Sequence, residues 1–161
     1  MSEALDRRPI CPGDHAFLQG LFASTREPEL ALTGWDDAQK EAFVASQFEL
    51  QRQGYAQQFP QGDFQIVLEG TEPIGRLYLN RGADLIEIVD IAILPPYRNR
   101  GLGTGLLREV LEEARRGNQT VRIYVETFNP AQRLYTRLGF QRIDGDGVYH
   151  VMEWTPTGPV S

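Results

Sequence analysis

Between an apolar, β-branched run and an apolar pattern of helical period lies Asp90-Ile91-Ala92-Ile93-Leu94-Pro95-Pro96-Tyr97-Arg98-Asn99-Arg100-Gly101-Leu102-Gly103-Thr104. Two prolines stop the strand, an arginine- and glycine-rich turn follows, and helical periodicity sets in at Leu106. Strand, glycine turn and helix N-terminus together aim unpaired backbone N–H groups at an anion, so Arg98-x-x-Gly101-x-Gly103 reads as a phosphate or pyrophosphate cradle. The turn lacks the lysine and Ser/Thr of a Walker A loop, which disfavours an ATP or GTP hydrolase. It also lacks the third glycine of a dinucleotide fingerprint. Two ionisable residues, Glu87 and Asp90, interrupt the apolar run before the turn and are the anomalies that acid–base chemistry would explain. His15 and His150 stand alone and are expected to be structural or surface residues. One cysteine, Cys11, leaves no intramolecular disulfide and too few thiols for a cysteine-based zinc site. No metal is expected.

These residues need elements to position them. Residues 5–10 form a short first strand, and Asp14 caps a helix through Phe17, Leu18, Leu21 and Phe22 that ends before Pro28. Asp36 or Asp37 caps a longer helix stopped by Pro60, with Phe43, Val44, Phe48, Tyr55 and Phe59 on its core face. Phe64, Ile66 and Leu68 alternate with more polar residues as a strand, and residues 74–80 return as its hairpin partner. Residues 85–93 form a third, isoleucine-rich strand whose near-continuous apolarity predicts burial on both faces. Leu106, Leu107, Val110, Leu111 and Ala114 define an amphipathic helix ending near Gly117, and residues 121–125 form a strand. That strand–helix–strand order implies a right-handed parallel crossover. Asn129-Pro130 starts a further helix capped by Gly139. Residues 140–143 and 149–154 flank Asp144-Gly145-Asp146-Gly147 as a hairpin. From Thr155 the chain is a Pro/Gly-rich tail. There is no repeat and no linker, so residues 1–161 are expected to form one domain.

Composition narrows the function classes. Hydrophobic residues make up 41% of the 161 positions and charged residues 24%, ordinary values for a soluble globular protein. No apolar run reaches the ~20 residues of a membrane span. The N-terminus has no apolar signal segment. With the lone cysteine, this fits a reducing cytoplasm. The net charge of −6 argues against a nucleic-acid partner. The charge is unevenly spread: residues 98–142 hold nine arginines against four glutamates, while the remainder holds seven basic and 18 acidic residues. The basic stretch coincides with the anion cradle.

Two ordered motifs then make a family resemblance specific. Arg98, Gly101 and Gly103 match the [Q/R]-x-x-G-x-[G/A] signature of the GNAT superfamily of acetyl-CoA-dependent N-acetyltransferases. Asn129-Pro130-Ala131, Tyr135 and Leu138-Gly139-Phe140 match that family's second hallmark. The order of elements resembles the family over nearly the whole chain. The resemblance implies a mixed α/β (α+β) fold: a mostly antiparallel central sheet with about four flanking helices. In it the strand before the turn and the strand after the long helix would form a parallel pair splayed around the cofactor.

The resemblance also implies site roles. Backbone N–H groups of Arg98, Asn99, Arg100, Gly101, Leu102, Gly103 and Thr104 would hold the pyrophosphate of acetyl-CoA, with Arg98 and Arg100 adding charge. Main-chain groups of Ile91, Ala92 and Ile93 would bond the pantetheine amides like an added strand, one N–H polarising the thioester carbonyl. Asn129 would bond the pantetheine from the other side. Tyr135 matches the family tyrosine near the sulfur and would be the general acid. Glu87 aligns with the glutamate that some members use as base; Asp90 and a water chain are the alternatives, Asp90 otherwise capping or bracing a bulge in that strand. Cys11 is poorly placed for an acyl-enzyme, so direct attack in a ternary complex is expected. The first two helices, with Trp35, Tyr55 and the hairpin around Tyr149, would wall the acceptor site, and their acidity favours a small cationic amine or peptide amine. A non-catalytic acyl-CoA-binding sensor is the other function class that the residues leave open. A homodimer through a sheet edge or the C-terminal hairpin is common in the family.

Overall fold

The computed structural model describes residues 5–127 and 129–156; residues 157–161 of the expected tail lie outside them. The chain runs β1 (Asp6–Pro9), α1 (His15–Leu30), α2 (Asp37–Gln58), β2 (Asp63–Glu69), β3 (Glu72–Arg81), β4 (Leu85–Ile93), α3 (Leu102–Gly117), β5 (Thr120–Glu126), α4 (Gln132–Arg137), β6 (Gln141–Gly145) and β7 (Tyr149–Trp154). The strands form one seven-stranded sheet in the order β1-β2-β3-β4-β5-β7-β6. Every pairing is antiparallel except β4–β5, which is parallel. The mixed α/β architecture implied by the resemblance is thus the observed one. Among the described residues no helix is long and apolar enough to cross a membrane.

Alternating side chains give the sheet two apolar faces. One buries Ile86, Ile88, Val121 and Ile123 against Leu106, Leu107, Val110 and Leu111 of α3, with Tyr135, Phe140 and Trp154 closing the cluster. The other buries Ile66 and Tyr78 against Leu18, Phe22, Val44 and Phe48 of α1 and α2.

Local chemistry explains most element ends. Asp36 caps α2: its Oδ1 accepts from Gln39 N at 2.8 Å, while Gln39 Oε1 accepts from Asp36 N at 3.0 Å. Asp14 precedes α1 as expected, yet its carboxylate turns back to Arg8, both oxygens accepting at 2.8 Å, and to Cys11 N. The α1 helix continues through Pro28 to Leu30, past its expected end. Proline there falls in the last turn and forfeits a single i→i−4 bond, while Leu30 is buried in the second cluster. The α3 helix starts at Leu102, four residues before the periodicity does, because its first turn is glycine-rich and exposed to the cleft. The α4 helix starts at Gln132, preceded by a turn in which Asn129 Oδ1 accepts from Ala131 N at 2.9 Å. In the last hairpin, Asp144 and Gly145 belong to β6; Asp146 Oδ1 makes the turn by accepting from Val148 N and Tyr149 N.

The expectation of a doubly buried β4 holds for half of it. Ile86 and Ile88 are buried, whereas residues 89–93 are only partly so. The reason is topological: β5 pairs with β4 only from Leu85 to Ile88 and then diverges.

Candidate active site

Where β4 and β5 part, a cleft of about 1760 Å³ opens. Its floor is the free edge of β4. At Ala92 the carbonyl is turned to β3, so close that a Cβ on Gly75 would lie 2.3 Å from it. By strand alternation Ile91 and Ile93 then present their N–H and C=O groups to the opposite, unpaired edge. The Ile93 carbonyl accepts from Arg98 Nε at 2.8 Å, and Arg98 also reaches Ser24 Oγ at 3.4 Å.

At the end of that edge lies the glycine turn. Asn99 (φ 63°) and Gly101 (φ 77°) are both left-handed. The first helical bond of α3 runs from Gly105 N to Gly101 O at 3.0 Å, so the N–H groups of Leu102, Gly103 and Thr104 have no partner within the helix. Nothing lies within 4 Å of a Cβ built on Gly101, Gly103 or Gly105. Free donors, a helix dipole and open space above the backbone are what a pyrophosphate requires, so the cradle fits that group. Arg98, Asn99, Gly101, Leu102, Gly103 and Thr104 line the cleft. The Arg100 side chain does not; it pairs with Glu69 at 2.9 Å and lies over the Tyr97 ring.

Tyr135 and Asn129 line the cleft from the β5 side. Tyr135 is 5% exposed and packs edge-on against Phe140. Burial, reinforced by the Asp90 charge, pushes its phenol up to about 12. On the β4 side, Glu87 is half-buried and accepts from Asn80 Nδ2 at 3.3 Å. Asp90 follows a β-bulge: Tyr78 pairs with Asp90 and Leu79 with Ile88, leaving Val89 as the extra residue. Asp90 Oδ2 accepts from Arg76 Nη2 at 2.5 Å and from the Tyr55 hydroxyl at 3.1 Å. The two carboxylates therefore differ in kind. Asp90 is committed to an arginine, whereas the contact to Glu87 comes from a neutral amide.

The cleft is also rimmed by Glu29, Glu126, Asp144, Asp146, Tyr55 and Tyr149. Arg26 bridges the carboxylates of Glu126 (3.4 Å) and Glu29 (3.5 Å). Trp35, expected here, packs on Phe43 instead and does not line the cleft. His15 sits edge-on to Phe48, and His150 Nδ1 bonds Gln132 Oε1 at 2.8 Å, both structural placements. Cys11 is exposed outside the cleft. Sequence reasoning missed Arg76 and Glu126. Arg76 had a signal, a cation between Gly75 and Leu77 in the apolar middle of its strand; Glu126 had none, since a carboxylate at a strand end is ordinary.

Residues 30–140 match the model of the Acetyltransferase (GNAT) family. Among curated proteins, the [ribosomal protein bS18]-alanine N-acetyltransferase of Haemophilus influenzae is 32% identical over 79 residues. That match covers 48% of this chain and 54% of the relative, so it spans about half the length of each. Among solved structures, the PaiA N-acetyltransferase of Thermoplasma acidophilum in complex with coenzyme A superposes with a TM-score of 0.70 at 19% identity, covering 95% of this chain and 99% of that one. An acetyltransferase from Thermus thermophilus gives 0.69 at 24% identity, covering 95% and 97%.

Proposed function

The chain belongs to the acetyltransferase (GNAT) family, and on that premise we propose that it transfers the acetyl group of acetyl-CoA to a cationic primary amine, small or peptide-borne, by direct attack with both substrates bound. The observation that carries this is the continuity of the free β4 edge with the glycine cradle. An extended pantetheine can add to the edge while its pyrophosphate rests on the helix N-terminus. Ile91 and Ile93 offer the edge groups, and the turn from Asn99 through Arg100 to Thr104 offers backbone donors, while the Arg98 N–H is taken by the Pro95 carbonyl at 3.1 Å. Ala92 contributes by holding the strand to β3. Asn129 closes the cofactor from the β5 side. Acetyl-CoA supplies the thioester: an acyl carbon open to attack and a thiolate leaving group.

Glu87 takes the proton that the attacking nitrogen must lose, and an edge N–H of β4 stabilises the oxyanion. As the C–S bond breaks, Tyr135 donates its O–H to the departing sulfur and recovers a proton from solvent. Burial keeps that phenol protonated at neutral pH, so the proton is on hand when the C–S bond breaks. Arg26 offsets Glu29 and Glu126, and the remaining rim carboxylates, Asp144 and Asp146, favour a positively charged acceptor over an anionic one. The ribosomal-protein alanine acceptor in the name of the curated relative supports including peptide amines. A single cysteine, exposed and free, supports a cytoplasmic setting.

The test is thiol release from acetyl-CoA against amino acids, polyamines, aminoglycosides and lysine peptides. Cationic amines are expected to release thiol and acidic ones not. Tight acetyl-CoA binding without release by any amine would overturn the transfer reading in favour of an acyl-CoA-binding module.

A further inference from the structure

The open half of β4 poses a mechanical problem. From Asp90 to Ile93 it has a ladder partner on one side only, β3, yet its free edge must be held in place for any ligand to read it. Something else must fix it. At its far end Arg98 ties the Ile93 carbonyl, and Leu94 N donates to Ile74 O at 2.8 Å. At its near end, where the bulge interrupts the ladder, the tie is a buried charge pair.

Arg76 is 3% exposed, and its only ionic partner among the described residues is Asp90. On β3 it stands opposite Ala92 and two residues from Tyr78, which is opposite Asp90, so it reaches Asp90 diagonally across the ladder. Its guanidinium lies 4.8 Å above the Tyr78 ring, and Nη2 also donates to Gln51 Oε1 at 2.8 Å. Tyr55, one helical turn after Gln51, donates to the same Asp90 oxygen. Tyr55 of α2 and Arg76 of β3 thus converge on one carboxylate of β4, with Gln51 of α2 holding Arg76 from behind. The bulge also changes which face each residue takes. Ile86 and Ile88 pack in the α3-side cluster, Val89 in the α2-side cluster, and Ile91 and Ile93 in the α3-side cluster again. Without the extra residue, Ile91 and Ile93 would face α2, and the edge groups would be offset from the glycine cradle.

We propose that Arg76, acting through Asp90 and supported by Tyr55, is a positioning residue that locks the Val89 bulge and so aligns the free β4 edge with the glycine cradle. The inference rests on the acetyl-transfer reading for its catalytic consequence. It also explains why a costly buried pair is present: a buried ion pair is weak evidence of stability, since apolar residues of similar volume often serve as well. Its contribution here is geometric. Asp90, held by two donors on one oxygen, acts as a brace and leaves proton removal to Glu87.

The experiment compares Tyr55→Phe and Arg76→Lys with the parent protein by three readouts: thermal unfolding, peptide-level amide exchange over residues 89–94, and steady-state kinetics with both substrates varied. Arg76→Lys keeps the charge and loses the fork geometry. It is expected to lower kcat by roughly 30- to 100-fold with the amine KM within about threefold, because a misplaced reacting group costs turnover more than ground-state binding. Tyr55→Phe, the milder change, is expected to lower kcat by about three- to tenfold. Both should speed exchange across 89–94 while exchange in α3 and β7 stays as in the parent. Arg76→Ala should fall below Arg76→Lys in kcat, the lysine giving partial rescue. Unchanged exchange over 89–94 in folded variants overturns the proposal, as does an activity loss that only follows the fraction unfolded. The exchange readout needs no turnover, so it tests the positioning role even if no amine proves to be an acceptor.

Discussion

Residues 85–88 and 89–93 are halves of one strand with almost the same composition, and their backbones do opposite work, although the Glu87 side chain of the first also reaches the cleft. The first half is paired on both sides, to β3 and to β5, and buries Ile86 and Ile88 completely or nearly so. The second keeps β3, loses β5, and lines a cleft with residues just as apolar. Apolarity alone therefore does not make a strand structural. What distinguishes the halves is the number of hydrogen-bonding neighbours. A strand edge left unpaired in the middle of a sheet is a site prepared for a partner, and its unmet N–H and C=O groups are the recognition surface.

The sharpest way to break this contrast is from behind the open half. Gly75→Val puts a side chain where a Cβ already meets the Ala92 carbonyl at 2.3 Å. The two strands must separate, so acetyl-CoA binding measured by calorimetry should drop by over 100-fold and the melting temperature should fall as well; retained binding would show that the edge is not read in this position. Tyr135→Phe comes next and touches chemistry without the sheet. It should reduce kcat by about 10²-fold, within the usual range for a general acid, with the fold intact by circular dichroism. Its pH signature has a definite sign. The folded phenol titrates at about 12, above the unfolded value of ~10. Its contribution to stability is therefore fully present below pH 10 and is lost as the pH rises toward 12, by about 3 kcal/mol at most. Denaturant titrations of parent and Tyr135→Phe between pH 9 and 11.5 should diverge in that direction.

In the closed half, Ile88→Ala should cost about 2–4 kcal/mol of unfolding free energy while the folded fraction keeps its kcat within a fewfold. A mutant that stays stable but inactive would erase the distinction between the halves. The smallest effect is expected at Arg100→Ala. Its pair with Glu69 is half-exposed, worth ~0–1 kcal/mol, and its side chain faces away from the cradle. The KM for acetyl-CoA should change by less than about threefold, where Arg98→Ala, which frees the Ile93 carbonyl, should change it more.

The sequence by itself carried the order of elements, the Asp36 cap, the glycine cradle and the Asn129–Tyr135 motif. Those signals are local: a cap reaches three residues and helical periodicity repeats every three or four. It also carried Glu87 and Asp90 as anomalies in an apolar run, but not which of them was free. That depended on Tyr55, 35 residues away, and on Arg76 in the neighbouring strand, contacts that exist only once α2 packs on the sheet. The family resemblance implied a bulge in this strand, but its place at Val89 was hidden for a related reason: where both faces are apolar, an extra residue leaves no break in the alternation. The opening of β4 was hidden most deeply. Nothing in residues 89–93 records that β5 stays with β7 through Glu126 while leaving β4 after Ile88, and only the assembled structure decides it.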